Sequence, residues 1–492
     1  MAKHNIKVAS TAPAFAKDAI FVIACVLKGT KLALSAEGVD ISSLKSLDLE
    51  KIGAKPAADS LVKVPGPNGS FFAIVGGFKP KDIDSLRYVG GTLGRTLGDF
   101  RNVVSALPIS AEAEALALLE GYAVGNYSYQ AYKSDAKKQI TQTFSLVTKT
   151  KVKPAVLTRV EILRAAVHDT RDLVSMPAND LYPQSFASFA TKLAKGSSVT
   201  ITVLDEKKLA AGGFGGLLGV GKGSVRPPRL VKVEYKPTGA KKKIAFVGKG
   251  ITYDTGGLSL KPPNSMLGMK YDMTGAATVL NAVLAIARLK LKVHASAYLC
   301  LAENMPSGSA TRPGDVIKLR NGKTVEVTNT DAEGRLVLGD GIALASESYP
   351  DLIVDVATLT GAQRVALGTR YAGLMGDDSS VDALLKATKV AGEFAWPMPF
   401  PEELRALLNS DIADLMNARV GNPSGGMLVG GLFLKEFVGK KSKTSDELIS
   451  WVHLDLAGPA DNDGPGYGYI PKGATGSYVR SLVALAESLS KQ

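Results

Sequence analysis

From about Val199 to the C-terminus, the chain alternates short apolar segments typical of buried strands with segments typical of helices. This alternation indicates a mostly parallel or mixed sheet that is flanked by helices on both faces. We therefore expect an α/β fold. The predicted strands are Lys243–Val247, Val293–Ala302, Lys323–Thr328, Leu352–Ala357 and Trp451–Leu456, and the predicted helices are Thr274–Leu289, Arg335–Ala345 and Thr475–Leu489.

The length of 492 residues suits two or three domains rather than one. We predict a smaller N-terminal α/β domain over residues 1–157, a linker helix and turn over 158–178, and a larger C-terminal catalytic domain over 179–492. Thr158 and Glu161 have the spacing of a capping box, which indicates the start of the linker helix. The N-terminal elements are predicted at Ile20–Val26, Phe71–Val75 and Gln139–Val147 as strands, and around Ile83–Leu107 and Ala111–Val124 as helices.

The two cysteines, Cys25 and Cys300, lie in no CxxC motif and are too few to stabilise a fold of this size through disulfide bonds. They favour a reducing compartment. The segment Ala19–Leu27 is predicted to be a buried strand; it could also be the core of a signal peptide, but Asp18 and Lys28 flank it and argue against that. No apolar run approaches the roughly 20 residues of a membrane-spanning helix. We expect a cytoplasmic protein with no membrane segment.

The formal net charge is +13, and residues 1–157 carry 20 Lys and Arg against 13 Asp and Glu. A basic domain can bind nucleic acid through the phosphates. Lysines scattered along a chain more often form a solvated surface. DNA binding by the N-terminal domain is therefore a hypothesis beside the simpler one of a charged surface.

Polar residues concentrate in three segments of the C-terminal region: residues 248–262 after the strand Lys243–Val247, residues 269–275 at a helix start, and residues 329–336 after the strand Lys323–Thr328. Taken singly, acidic residues at these places can stabilise a helix N-terminus or a turn. In sheets of this kind, however, functional residues gather at the carboxyl ends of the strands. We expect these loops to converge, and the acidic residues that they would bring together are Asp254, Asp272, Asp331 and Glu333.

Four carboxylates in one pocket repel one another unless a cation compensates them, and a divalent metal ion is the usual solution. A carboxylate-rich site with little histidine suits Mn²⁺, Mg²⁺ or Zn²⁺. The chain has four histidines and no HExxH motif, which excludes a one-zinc protease of that type. His453, within an apolar strand, is predicted to be a hydrogen-bonded structural residue and not a ligand.

Lys249, Lys261 and Arg335 lie in the same polar segments. Such residues are usually solvated, but inside a metal pocket one of them can stabilise the oxyanion that forms when water attacks a carbonyl. A lysine can also bind a metal once its proton is lost. Two metal ions in one site can activate a water and polarise a carbonyl. Hydrolysis of a phosphoester is an alternative that uses similar carboxylate clusters.

Three segments resemble the signature motifs of the leucyl aminopeptidase family: Gly248–Pro262, Met269–Ala277 and Asn329–Leu338, which includes the specific octapeptide Asn-Thr-Asp-Ala-Glu-Gly-Arg-Leu. Shorter matches extend the resemblance over roughly residues 170–490. They are Gly223–Arg229, Glu303–Pro306, Arg312–Asp315, Thr358–Gly361 and Trp451–Asp455. The N-terminal domain resembles the family in size and placement only.

The resemblance implies release of leucine and other apolar residues from the free N-terminus of short peptides, with two Mn²⁺ or Zn²⁺ ions per subunit. It implies that Lys261 polarises the scissile carbonyl and that Arg335 anchors a bicarbonate ion as general base. It also implies a homohexamer. The implied ligands of the tighter metal are Lys249, Asp254, Asp272 and Glu333, those of the exchangeable metal are Asp254, Asp331 and Glu333, and the implied substrate-binding residues are Met269, Thr358, Leu359 and Gly361.

Two glycine-rich segments do not support a further function. Gly216–Gly223 nearly matches a phosphate-binding loop, but Gly223 stands where Ser or Thr should bind Mg²⁺. We expect its glycines to allow close packing between elements. Gly425–Gly431 is predicted to be a flexible loop at the active-site entrance or a plain turn.

Overall fold

The structure, a computed structural model, describes residues 4–136, 140–419 and 421–491. It divides into two compact units: Met1–His168 with Asn462–Lys472, and Asp169–Asp461 with Gly473–Gln492. The boundary therefore lies at 168/169, later than the predicted residue 157, and a short C-terminal segment belongs to the first unit. In that segment, the backbone N–H of Gly468 donates a 3.1 Å hydrogen bond to the carboxylate of Asp59 in the first unit.

The first unit is built on a sheet whose described strands follow the order β1-β7-β6-β2-β5-β4, with β3 paired to β2. The strand β2 pairs in parallel with β5 and β6, and its residues up to Cys25 are buried. The elements are β1 (His4–Ala9), β2 (Ala19–Lys28), β3 (Lys31–Ser35), β4 (Leu61–Pro65), β5 (Phe71–Val75), α1 (Ile83–Thr96), β6 (Asn102–Ser105), α2 (Glu112–Gly125) and β7 (Gln142–Val147).

The predicted helical stretch Ile83–Leu107 is wrong in its second half. Helix α1 ends at Thr96, and Asn102–Ser105 is a strand between β2 and β7. Val103 and Val104 are β-branched, which suits a strand. The predicted strand Gln139–Val147 begins at Gln142 in the structure, and Gln139 lies outside the described residues.

Helix α3 (Pro154–Ser175) begins before the predicted residue 158 and runs across the boundary at 168/169 from the first unit into the second. The predicted capping box is wrong, because Thr158 lies within the helix and its hydroxyl donates to the carbonyl of Pro154 at 3.3 Å. Proline at the first position suits a helix start because its missing N–H is not needed there. Neither this helix nor any other in the described ranges is long and apolar enough to cross a membrane.

The second unit contains an eight-stranded mixed sheet in the order β16-β15-β18-β14-β10-β11-β9-β8. The elements of this unit are α4 (Pro183–Ala194), β8 (Thr200–Leu204), α5 (Glu206–Ala211), α6 (Gly215–Gly221), β9 (Arg229–Tyr235), β10 (Lys243–Asp254), α7 (Pro263–Met266), α8 (Thr274–Arg288), β11 (His294–Asn304), β12 (Val316–Lys318), β13 (Thr324–Glu326), α9 (Gly334–Ser346), β14 (Leu352–Ala357), α10 (Gly361–Leu367), β15 (Tyr371–Gly376), α11 (Asp378–Ala391), β16 (Phe394–Pro397), β17 (Leu415–Met416), α12 (Gly426–Lys435), β18 (Ser450–Asp455) and α13 (Val479–Leu489).

The strands β11, β10, β14 and β18 are parallel and form the centre of this sheet, while β9, β8 and β15 pair antiparallel. Helices cover both of its faces. A Cβ on Gly248 would lie 2.6 Å from Ala276 in α8, whereas a Cβ on Gly341 of α9 would lie 2.6 Å from the Val247 side chain. Successive residues of a strand face opposite sides, so α8 and α9 flank opposite faces of β10. The predicted α/β fold is confirmed.

Two predictions in this unit are wrong. The strand after Lys323 is only Thr324–Glu326, and it belongs to a separate small sheet with β12 and β17. The glycine-rich segment predicted as a loop forms helix α12, in which Gly430 and Gly431 are buried against other elements. Burial of Met427, Leu432, Phe433 and Leu434 outweighs the low helix propensity of glycine.

Candidate metal centre

The predicted metal-binding residues come from several segments of the second unit. Lys249 and Asp254 lie on β10, whose pairing with β11 shifts register before Asp254. Asp272 lies on the 3-10 turn that leads into α8. Asp331 and Glu333 lie between β13 and α9. The structure brings all five together, although Asp331 and Glu333 follow a strand of the small sheet and not of the main one.

Lys249 lies between two carboxylates. Its Nζ is 2.9 Å from Oδ1 of Asp272 and 2.9 Å from Oε1 of Glu333, and it donates to the carbonyl of Thr358 at 3.0 Å. Burial alone would lower the pKa of Lys249, but the carboxylates of Asp272, Glu333 and Asp254 outweigh it and raise that pKa. In the metal-free protein, Lys249 is therefore an ammonium group that compensates buried negative charge.

Lys261 bridges the other pair of carboxylates. Its Nζ lies 2.9 Å from Oδ2 of Asp254 and 2.5 Å from Oδ1 of Asp331. Burial opposes the charged form here too, and the neighbouring carboxylates again raise the pKa of the lysine. Lys261 is less buried than Lys249, with 15% of its side chain exposed, so part of this side chain reaches solvent.

The cluster contains four carboxylates and only these two lysines, so it carries excess negative charge. Burial, followed by repulsion from Asp254, raises the pKa of Glu333 to about 8. Burial raises the pKa of Asp272 to about 6, against the effect of Lys249. Burial and Asp254 also raise the pKa of Asp331. Additional positive charge in the cluster would stabilise the ionised form of its four carboxylates.

The donor atoms fit a divalent cation. Asp254, Asp272 and Glu333 each offer an oxygen within 4.8 Å of the others. Among the described residues, no group hydrogen-bonds to the buried Oδ2 of Asp272, and leaving a buried acceptor unpaired is costly. Carboxylate oxygens suit hard and borderline metal ions. Lys249 could join them as a ligand only after losing its proton.

Asn304 holds Asp254 in place. Its amide donates to Oδ1 of Asp254 at 2.8 Å and to the carbonyl of Thr330 at 3.0 Å, and the N–H of Gly256 donates to the same Asp254 oxygen at 2.9 Å. Asn304 lies in a segment that resembles a family motif, but we predicted no role for it from the sequence. Its position at the end of β11, beside β10, could have indicated that it lies near Asp254.

Arg335 lies in the first turn of α9 and is buried. Its Nη1 donates to the carbonyl of Asn417 at 2.6 Å, while no group in the described ranges bonds to its buried Nε. Burial lowers its pKa to about 10, against the favourable charges of Glu333 and Asp455. Arg335 therefore stays a cation at neutral pH and retains a donor for an anion.

Of the four predicted substrate-binding residues, Thr358 contacts the cluster directly, and the other three lie next to residues of the site along the chain. The hydroxyl of Thr358 donates to Oδ1 of Asp272 at 2.7 Å. The N–H of Leu359 donates to Asp455 at 3.1 Å, so this buried carboxylate, which sequence analysis missed, positions the loop. Met269 begins the 3-10 turn that carries Asp272, and Gly361 begins α10 directly after the loop.

His453 does not join the cluster. Its Nδ1 forms a 2.5 Å hydrogen bond with Asp355, and both side chains are fully buried. Trp451 donates to the other oxygen of the same carboxylate at 2.7 Å. The prediction of a hydrogen-bonded structural histidine is confirmed.

Comparison with known proteins identifies clear relatives. A family model described as cytosol aminopeptidase family, catalytic domain, matches residues 168–483. A protein named probable cytosol aminopeptidase from Clavibacter michiganensis subsp. michiganensis is 51% identical, over 92% of this chain and 94% of that protein. A protein of the same name from Streptomyces coelicolor is 45% identical, over 97% of each.

Solved structures show the same similarity. The bottromycin maturation enzyme BotP in complex with Mn superposes with a TM-score of 0.83 at 33% identity, covering 96% of this chain and 99% of that one. A mutant of tomato leucine aminopeptidase superposes with a TM-score of 0.86 at 29% identity, covering 99% of this chain and 97% of that one.

Proposed function

The chain belongs to the cytosol aminopeptidase family and is a hydrolase of peptides, and we propose that it releases leucine and other apolar residues from the free N-terminus of short peptides through two divalent metal ions. The observation that carries this proposal is the buried cluster in which Asp254, Asp272 and Glu333 offer oxygens within 4.8 Å of one another. Lys249 and Lys261 lie on either side of that cluster.

We assign the tighter site to Lys249, Asp254, Asp272 and Glu333, and the exchangeable site to Asp254, Asp331 and Glu333. Mn²⁺ or Zn²⁺ there would activate a water and polarise the scissile carbonyl. The similarity to BotP in complex with Mn supports Mn²⁺. Asp254 and Glu333 belong to both sets, which agrees with their central position.

Lys261 has the features of a residue that stabilises developing negative charge. Its ammonium group is held by Asp254 and Asp331, and part of its side chain is exposed, so it would lie close to a substrate bound at the cluster. A preorganised cation at that place stabilises the tetrahedral oxyanion that water attack produces. Arg335, whose Nε has no partner among the described residues, would hold a bicarbonate ion as general base. Met269, Thr358, Leu359 and Gly361 would bind the substrate's side chain and backbone.

The decisive test compares leucine p-nitroanilide with its N-acetylated form, before and after removal of metal by a chelator. We expect cleavage of the free-amine substrate only, loss of activity on chelation, and recovery with Mn²⁺ or Zn²⁺. The acetylated compound is the matched control because it differs only at the amine. Equal cleavage of both compounds, or full activity after chelation, would contradict the proposal.

Three further properties are proposals, and the first of them, the homohexamer, comes from the family resemblance. We propose a homohexamer, for which light scattering should give a mass six times that of the chain. We propose a cytoplasmic enzyme, which the names of its relatives support and fractionation of its source cells would test. DNA binding rests only on the excess of basic residues in the N-terminal region, and a gel shift that stays negative at low salt would exclude it.

A further inference from the structure

Asn417 is a fully buried residue that directly follows β17. That strand pairs in parallel with β13, with Glu326 opposite Met416. The N–H of Asn417 continues the pairing by donating to the carbonyl of Glu326 at 3.0 Å. The small sheet therefore places Asn417 beside the segment that leads from β13 to Asp331 and Glu333.

The side chain of Asn417 bonds only to that segment among the described residues. Its Nδ2 donates to the carbonyls of Asn329 and Ala332 at 2.7 and 3.2 Å. Its Oδ1 accepts from the N–H groups of Thr328 and Asn329 at 2.9 and 3.2 Å. An asparagine amide has two donor hydrogens and two acceptor lone pairs, so its hydrogen-bonding capacity is used to fix one loop.

The backbone of Asn417 holds a second part of the site. Its carbonyl accepts the 2.6 Å hydrogen bond from Nη1 of Arg335. The Nε of the same guanidinium group is buried and has no partner in the described ranges. The orientation of Arg335 therefore depends on where the Asn417 backbone lies, and that in turn depends on the side-chain bonds to the loop.

We propose that Asn417 is a positioning residue that sets the Asp331–Glu333 loop and the Arg335 guanidinium in one fixed relationship. It touches neither substrate nor metal in this scheme, and the inference rests on the proposed function of those three residues. Partners that orient metal ligands typically contribute about 10- to 100-fold to metal affinity or activity. Asp331 belongs to the exchangeable site alone, so that site should be the more sensitive of the two.

The test compares the variants Asn417→Asp and Asn417→Ser. Aspartate keeps the size and one acceptor but places an oxygen against the carbonyls of Asn329 and Ala332. Serine keeps a small polar group and removes most of the bonds. The matched control is Asn281→Ala, which alters another fully buried asparagine of the same unit. Among the described residues, its amide donates only within α8, to Ala277 at 3.0 Å.

Each purified full-length protein is stripped of metal and titrated with Mn²⁺ by calorimetry, and kcat, KM and the unfolding midpoint are measured on the same samples. We expect both Asn417 variants to weaken the second Mn²⁺ and to lower kcat, each by at least about tenfold. The first Mn²⁺ and the KM for the peptide should change much less. The control should lower the unfolding midpoint while leaving metal affinity and kcat unchanged.

Three results would overturn the inference: parental Mn²⁺ affinity in a folded Asn417 variant, a loss in the control that equals the loss in the variants, or equal weakening of both metals. If one variant does not fold, the other decides by the same criteria. If neither folds, the residue is one on which folding depends, and the positioning proposal is rejected. Parental protein that binds two Mn²⁺ but cleaves no peptide would refute the proposed function and still leave the titration as the measure of Asn417.

Discussion

The ammonium group of Lys249 lies 2.9 Å from Oδ1 of Asp272, and only 4% and 8% of the two side chains are exposed. A buried ion pair is costly to break because the remaining charge has no compensation. Glu333 shares the same ammonium group at 2.9 Å. In the metal-free protein, Lys249 therefore stabilises the folded state by compensating these buried carboxylates, which is separate from any role as a metal ligand.

Lys249→Met should destabilise the metal-free protein by about 3 kcal/mol, because the buried carboxylate of Asp272 then loses the charge that compensates it. Thermal unfolding of chelator-treated protein measures this effect. Lys232→Met is the matched control, since its 2.9 Å pair with Glu234 is about one-third exposed and such pairs contribute at most about 1 kcal/mol. Equal shifts of the unfolding midpoint in the two variants would contradict the inference that Lys249 stabilises the metal-free protein.

Lys261→Ala and Asp272→Ala should separate catalysis from metal binding. Lys261→Ala is expected to retain both metals and lose most of its activity, because the cation that faces the oxyanion is gone. Asp272→Ala is expected to lose the tighter metal. Elemental analysis of the two purified variants, with activity measured on the same samples, checks both expectations. Comparable metal content in the two proteins would show that the roles are assigned wrongly.

Gly334→Ala should disturb the tighter site without a change in any charged residue. A Cβ at this position would lie 2.5 Å from Cε and 2.6 Å from Nζ of Lys249, so the lysine must move away from its carboxylate partners. We expect affinity for the first Mn²⁺ to fall about tenfold in a titration of the stripped protein. Gly308→Ala is the control because a Cβ there has no neighbour within 4 Å. Unchanged affinity in Gly334→Ala would mean that Lys249 is not needed in its observed place.

Asp340 should make stability depend on pH. It accepts 2.9 Å hydrogen bonds from the N–H groups of Leu217 and Arg320, yet burial raises its pKa from 3.8 to about 7. Because the folded pKa lies above the unfolded one, the folded state binds the proton more strongly. The stability from this group is present below pH 3.8 and is lost as the pH rises to about 7.

The variant Asp340→Asn removes this titration but also loses one of the two accepted hydrogen bonds, so it should be less stable at low pH. As the pH rises towards 7, the unfolding midpoint of the parent should fall relative to that of the variant. Midpoints measured across this range give the difference directly. Parallel curves for the two proteins would show that folding does not raise the pKa of Asp340.

Local patterns in the sequence were sufficient for much of the fold and for the chemistry of the site. The strands Phe71–Val75 and Leu352–Ala357 lie where predicted, because both apolar runs are too short for a typical helix and are rich in aromatic or β-branched residues. The metal candidates were found because several carboxylates at strand ends require a counter-charge. Their assigned roles stay predictions until metal and activity are measured.

Tertiary structure decided what depends on distant parts of the chain. Whether the strand after Lys323 joins the main sheet, and whether a glycine-rich segment forms helix α12, depend on the surfaces available for packing and not on the neighbours in sequence.

The sequence alone determined which side chains carry the charge and the metal-binding chemistry, since these are properties of single residues and their spacing. It could not reveal that Asn417 orients Arg335 from 82 positions away. The sequence around Asn417 contains nothing that indicates a contact with Arg335, and the sequence around Arg335 contains nothing that indicates Asn417. Their contact exists only because β17 pairs with β13 and closes the intervening chain into a loop.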